Sequence, residues 1–332
     1  MKRKLIYLSI LFLCAIHFVN AQSLKGKDFR IAVIPDIQYY TAQVKGGKVE
    51  MFRDQIAWIR KSAADSNIVY VSCMGDNVDN STAGGDPLEA QWQHVKDDGG
   101  FYALEQRMPG YPEGIPYGLA LGNHDQRDTV YHVGQAGYHG TPGLSPVRNT
   151  SYYYNLYFGA DHFKGKSYYG GHANLIGKNN NDCHFDQFTV AGQRYIVVYI
   201  AYDNEKIYED KSNLMVKWAD SVIRGHPNAK AIVVSHGLLK GGPLDSKGQN
   251  PWNDQGLRTY EGLKANTNII MFLCGHVNQG YREEIYHGHK IPVYMSDYQG
   301  GENGGNGVMR TFRINTVTDT VSISTFSPYQ NK

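Results

Sequence analysis

The chain is predicted to be an α/β protein, and three features of its sequence carry that prediction. Five short apolar runs rich in Val, Ile or Leu each stop at a polar cluster. Amphipathic helical patterns separate several of these runs. The polar clusters would all fall at the carboxyl ends of strands, where α/β sheets gather their reactive groups.

The chain of 332 residues opens on Lys2, Arg3 and Lys4, an apolar stretch from Leu5 to Val19, and Val19-Asn20-Ala21 before Gln22. This predicts a secretory signal peptide over residues 1–21 and a secreted or periplasmic protein over 22–332, read as a single domain. A membrane anchor is the rival, but this stretch is short for a span and contains His17. No membrane span is expected after cleavage. Without Lys2, Arg3 and Lys4 the chain has 30 basic and 31 acidic residues, a balance of −1. That argues against general nucleic-acid binding and requires any anion site to be local. Of the three remaining cysteines, Cys73 and Cys274 lie in apolar runs and read as buried thiols; an odd number cannot fully pair within the chain.

The runs are "RIAVIPDIQ" (30–38), "IVYVSCMGDNVD" (68–79), "IPYGLALGNHD" (115–125), "AKAIVVSHG" (229–237) and "NIIMFLCGHVN" (268–278). Continuous apolar runs of this length suit strands buried on both faces. Between the first two, residues 51–66 put Met51, Ile56, Ile59 and Ala63 on one helical face; residues 213–226 do the same with Leu214, Trp218 and Ile223. The C-terminal quarter ("KIPVYMSDYQ", "GVMRTFRINTVT", "TVSISTFSP") reads as antiparallel strands meandering through a second sheet. Residues 126–190 are rich in Gly, Tyr, His and Asn and read as an irregular insertion. Its tyrosines, among them Tyr152, Tyr153, Tyr154, Tyr157, Tyr168 and Tyr169, are either packing residues or a platform for a sugar or nucleotide ring. His287-Gly288-His289 reads as a hairpin turn. The Gly-rich stretch 299–307 lacks the features of a phosphate-binding P-loop. Arg127 either reaches a substrate phosphate or is a solvated charge.

The polar clusters, in order, are Asp36-x-Gln38, Gly75-Asp76-x-x-Asp79, Gly122-Asn123-His124-Asp125, Ser235-His236 and Gly275-His276-x-Asn278. In order and strand context they resemble the calcineurin-like metallophosphoesterases, whose pattern is D-x-H, G-D-x-x-D, G-N-H-[DE], an isolated His and G-H-x-H. The resemblance spans residues 30–280. It implies a four-layer α/β/β/α sandwich with two facing mixed sheets and a two-metal hydrolase of phosphoric esters. It also implies Asp36 and Gln38 on a first metal, Asp76 bridging, and Asn123, His236 and His276 on a second. His124 is then the general acid or charge stabiliser at the leaving oxygen, and Asp125 orients it. The implied reaction is attack of a metal-bound hydroxide on phosphorus. Two ions ~3.5–4 Å apart can clamp such a displacement, and a carboxylate can bridge them.

The departures lie at the first metal: Gln38 and Asn278 stand where the family has His. An oxygen-only shell of Asp36, Asp76, Gln38 and Asn278 suits Mn²⁺, Mg²⁺ or Ca²⁺, whereas the site with two His suits Zn²⁺, Fe or Mn²⁺. The expected substrate is a small-molecule, sugar-type or nucleotide-type phosphomonoester or phosphodiester. Two alternatives stay open: the same scaffold acting on a non-phosphate bond, as in a polysaccharide, and a non-catalytic binding protein.

Overall fold

The computed structural model describes residues 23–24, 28–79, 84–126, 151–174, 180–203, 210 and 212–331. The expected signal peptide and Arg127 lie outside these residues. The strands are β1 (Ser23–Leu24), β2 (Asp28–Ile34), β3 (Ile68–Cys73), β4 (Tyr117–Leu119), β5 (Tyr169–His172), β6 (His184–Val190), β7 (Gln193–Ile200), β8 (Lys230–Ser235), β9 (Ile269–Cys274), β10 (Gly280–Tyr286), β11 (His289–Met295), β12 (Met309–Asn315) and β13 (Thr320–Phe326). The helices are α1 (Gln38–Thr41), α2 (Val49–Ser66), α3 (Leu88–Lys96), α4 (Phe101–Leu104), α5 (Tyr152–Phe158), α6 (Ala160–Phe163), α7 (Leu214–Gly225) and α8 (Asp254–Leu263).

Each of the five apolar runs supplies a strand. β2, β3 and β4 run parallel in one sheet of order β13-β12-β2-β3-β4. β7, β8 and β9 run parallel in the other, of order β1-β6-β7-β8-β9-β11-β10, with β5 also pairing β6. Both sheets are mixed, because β12 is antiparallel to β2 and β6 to β7. The sheets face each other across a core that includes Phe29, Val33 and Phe312 from one, and Tyr195, Val197, Ile232 and Leu273 from the other. The Phe29 ring meets Tyr195 edge-on at 5.0 Å and Phe188 at 5.9 Å. Helix α2 covers β2 and β3, while α7 covers β7, which completes the α/β/β/α layering.

Local chemistry explains the main helices. In α2 the buried residues include Met51, Ile56, Ile59 and Ala63, the face expected from the sequence. The helix stops at Asn67, whose left-handed backbone (φ 49°) lets its N–H cap the carbonyls of Ala63 and Ala64. In α8 the Asn253 side chain accepts from the Gly256 N–H at 2.7 Å, an N-cap bond. Helix α7 corrects the expected face: Met215, Val216, Ala219 and Ile223 are buried, but Leu214 is 43% exposed. The buried stripe steps by four residues from Met215 through Ala219 to Ile223, which leaves Leu214 beside it.

Two further expectations change. The C-terminal strands do not complete one sheet: the β10–β11 hairpin joins β9, and only β12 and β13 cross to β2. The region 126–190 is not irregular throughout, since it contributes α5, α6, β5 and β6. Several of its described aromatics are packing residues. Tyr154, Phe158, Phe163 and Tyr168 are buried with Tyr117 and Phe101, and the Tyr154 hydroxyl donates to the Leu119 carbonyl at 2.9 Å. His287 and Gly288 form the hairpin turn, both at positive φ. Cys73, Cys183 and Cys274, the cysteines among the described residues, are free and buried. Among the described residues no helix is long and apolar enough to cross a membrane.

Phe29→Ala should open a cavity between the sheets and cost about 3–5 kcal/mol. Urea unfolding should show a lower midpoint with an unchanged slope.

Candidate metal centre

The loops after β2, β3, β4, β8 and β9 meet at one end of the two sheets, and backbone bonds lock them together. Met74 N–H donates to the Ile34 carbonyl (3.0 Å), and Gly275 N–H to the His236 carbonyl (2.9 Å). Tyr202 N–H reaches across the sheets to the Leu121 carbonyl (3.0 Å). The polar groups of this region are therefore carried on strand ends, not on free loops.

His236 is fully buried. Its Nδ1 lies 2.9 Å from the Met74 carbonyl, which can only accept, so Nδ1 carries the hydrogen. In the neutral ring Nε2 then holds the lone pair. Around that nitrogen sit Asn123 Oδ1 (3.1 Å), His276 Nδ1 (3.1 Å) and Asp76 Oδ2 (3.2 Å). The ligand atoms of Asp76, His236 and His276 all lie within 4.8 Å of one another. Lone-pair donors drawn this close fit a divalent cation, and the Met74 carbonyl is the kind of partner that orients a metal-bound imidazole.

Burial and neighbouring charges shift the ionisable groups of the cluster. Burial opposes a charge on His236, yet the Asp76 and Asp36 carboxylates outweigh it and push the ring up to about 10. Burial also works against the Asp76 carboxylate, but His236 and His124 hold it well below the usual range. Asp36 is pushed up, first by burial and next by the charge of Asp297. Asp297 itself is pushed up to about 6, chiefly by burial.

Two glycines of the clusters owe their place to close approach. A Cβ on Gly122 would sit 2.3 Å from Asp76 Oδ1, and one on Gly275 would sit 2.1 Å from Asp36 Oδ1. Each makes room for a carboxylate from a different cluster.

A family model described as calcineurin-like phosphoesterase matches residues 29–280. The chain belongs to that family. The uncharacterised protein YvnB of Bacillus subtilis (strain 168) is 29% identical over 304 residues, covering 89% of this chain and 19% of that protein. The chain thus spans about a fifth of that relative's length. A dimetal phosphatase from Danio rerio shares the fold, with a TM-score of 0.52 at 13% identity, covering 90% of this chain and 96% of that one. The purple acid phosphatase PPD1 of yellow lupin (Lupinus luteus) reaches only 0.45 at 12% identity, covering 90% of this chain and 54% of that one.

Against the family pattern, the structure gathers Asp76, Asn123, His236 and His276 into one donor cluster. Asp36 lies beside it, its Oδ2 accepting from the His276 N–H at 3.0 Å. Asp36 Oδ1 and Gln38 Oε1 are buried without a hydrogen-bond partner. His124 flanks the cluster: its N–H donates to Asp76 Oδ1 (2.9 Å), and its ring Nε2 lies 4.0 Å from Asp76 Oδ2.

Two expected roles are corrected. Asp125 does not orient His124. Its Oδ1 accepts from the N–H groups of Asn77 and Val78, and its Oδ2 from Gly122 N–H and the Asn77 side chain. Adjacent residues in a turn point apart, and Asp125 is turned inward to tie the β3 and β4 loops. The carboxylate beside the His124 ring is Asp79, with Oδ1 3.0 Å from Nδ1. Asn278, expected on the first metal, is exposed, and its side-chain nitrogen lies near Gly241. The loop after β9 carries it outward past His276.

Asp297 is the residue that sequence reasoning missed. It is 2% exposed, follows β11, and its Oδ2 is buried without a hydrogen-bond partner. The signal was present: "VYMSDYQ" ends an apolar run in Asp-x-Gln, as "AVIPDIQ" does.

Gly275→Ala should drive its methyl into Asp36 and lower the metal content of the purified protein while it stays folded. Elemental analysis beside thermal unfolding checks this, and an unchanged metal count would show that the close approach is unimportant.

Proposed function

We propose that this chain is a secreted or periplasmic metal-dependent hydrolase of phosphoric esters, acting on a small phosphomonoester or phosphodiester. The observation that carries this reading is the convergence of Asp76, Asn123 and His276 on His236 Nε2, with His124 alongside. Membership of the calcineurin-like phosphoesterases supports it. The secretory reading rests on the N-terminal sequence pattern alone.

The donor sets favour Mn, Fe or Zn at the cluster with two His, and Mn, Mg or Ca at an oxygen-only neighbour. Divalent ions bound there supply Lewis acidity toward a phosphoryl oxygen and lower the pKa of a water. The chain's own contribution is placement. Asp76, His236, His276 and Asn123 are the residues that would hold such an ion at the mouth of the sheets. His124 is 15% exposed, so it can meet a substrate from the solvent side. The Asp79 carboxylate, 3.0 Å from Nδ1, is the negative group beside the ring, and we assign it the part of steadying that ring. Nε2 is then the atom that meets the leaving oxygen and assists its departure. The ring-stacking platform that would favour a glycan or nucleotide draws no support from Tyr154 and Tyr168, which are buried in the core.

A screen of phosphomonoesters, phosphodiesters and glycosides with added Mn²⁺ tests the proposal; turnover of glycosides alone, or of nothing, would refute it. His124→Ala should keep its metal and lose roughly 10²–10⁴-fold in turnover. The loss should shrink with a nitrophenolate leaving group, which needs little protonation. Equal losses across leaving groups would rule out the acid role. Asp79→Asn should show the same leaving-group trend, more weakly.

A further inference from the structure

Two stretches of the chain read Asp-x-Gln. Asp36-Ile37-Gln38 follows β2, and Asp297-Tyr298-Gln299 follows β11 on the facing sheet. Both hold the backbone of the same residue. Asp36 Oδ2 accepts from the His276 N–H at 3.0 Å, and the Gln299 side-chain amide donates to the His276 carbonyl at 3.4 Å. Asp297 is fixed by its own N–H on the Asn278 carbonyl (3.1 Å), and its Oδ1 accepts from the Gln299 N–H (2.8 Å).

Four oxygens are left over: Asp36 Oδ1, Gln38 Oε1, Asp297 Oδ2 and Gln299 Oε1, each buried and without a hydrogen-bond partner. Asp36, Gln38 and Asp297 are 2%, 1% and 2% exposed. Buried oxygens are nearly always satisfied, and the amide oxygens and ionised carboxylates here offer only lone pairs. A hard divalent cation is the kind of partner such oxygens take.

We propose that the two Asp-x-Gln loops build an oxygen-only cation site beside the histidine-bearing one, with Asp36, Gln38 and Asp297 as ligands, Gln299 supporting, and Asp76 between the two ions. The site takes Mn²⁺, Mg²⁺ or Ca²⁺. Asp297 replaces the donor that Asn278 does not supply, and it lies beyond the matched residues 29–280. The inference rests on the metal-dependent reading above, and its test separates the two.

Metal-stripped protein is titrated with Mn²⁺ in a calorimeter, and metal per chain is counted after dialysis, for the natural protein, Asp297→Asn and Asn278→Ala. The natural protein should bind two ions. Asp297→Asn should weaken one step roughly 10-fold or more and keep the ion held by Asp76, Asn123, His236 and His276. Asn278→Ala should keep both. If Asp297→Asn does not fold, as judged by thermal unfolding, the half-buried Gln299→Ala must weaken the same step, and no change there overturns the proposal. Two undiminished steps in Asp297→Asn, or a single step in the natural protein, overturn the oxygen-only site and leave the histidine centre standing. No binding at all overturns the metal-dependent reading as well.

Discussion

Asp36, Asp76 and Asp297 place three carboxylates, each no more than 2% exposed, where the ends of two sheets meet. All three are held in one way. One oxygen accepts a backbone N–H: from His276 for Asp36, from His124 for Asp76 and from Gln299 for Asp297. The other oxygen is left for the centre. Burying an ion without a partner costs several kcal/mol even after the protein relaxes, so these carboxylates are relieved by positive charge or by taking up a proton, as the upward shifts of Asp36 and Asp297 show. The Met74 carbonyl that directs the His236 lone pair inward serves the same centre.

Such a centre requires the two sheets to keep a fixed offset. Apolar contact between their inner faces is strong but non-directional. Direction comes from polar bonds that cross the interface. The Tyr199 hydroxyl lies 2.8 Å from Ser72 Oγ and 3.1 Å from the Tyr70 hydroxyl, joining β7 to β3. The Tyr202 N–H and His236 Nδ1 add two further ties nearer the site. Asp76 and His276 both adopt positive φ, 48° and 85°, an unfavourable backbone for residues with side chains. Strain of this kind persists where the surroundings over-determine it, and here those surroundings are the same cross-sheet bonds.

The role of Asp125 shows why neighbours in sequence are poor guides to partners in space. Asp125 has four donors pointed at it, from Asn77, Val78 and Gly122, so it serves the loop architecture rather than the His124 ring. Asp79 comes from the preceding strand end and meets His124 only because β3 and β4 lie side by side. Asn278 fails for a related reason: two residues past His276, the loop has already turned toward solvent.

The sequence by itself determined the α/β class, the five strands with polar ends and the buried face of α2, and its motifs singled out Asp76, Asn123, His236 and His276, which the structure brings together. Each of those depends on a pattern within one short segment: apolar runs reflect burial along a strand, and a polar stop reflects a strand end. Only the tertiary structure decided which carboxylate faces His124, that Asn278 points away, and that Asp297 sits beside Asp36. Those outcomes depend on the separate paths of loops from two sheets. The β11 strand runs parallel to β9, so the tail of the chain returns to the same end of the sheet, 261 positions after Asp36. No local periodicity encodes that meeting, because the free energy that fixes it comes from packing between layers.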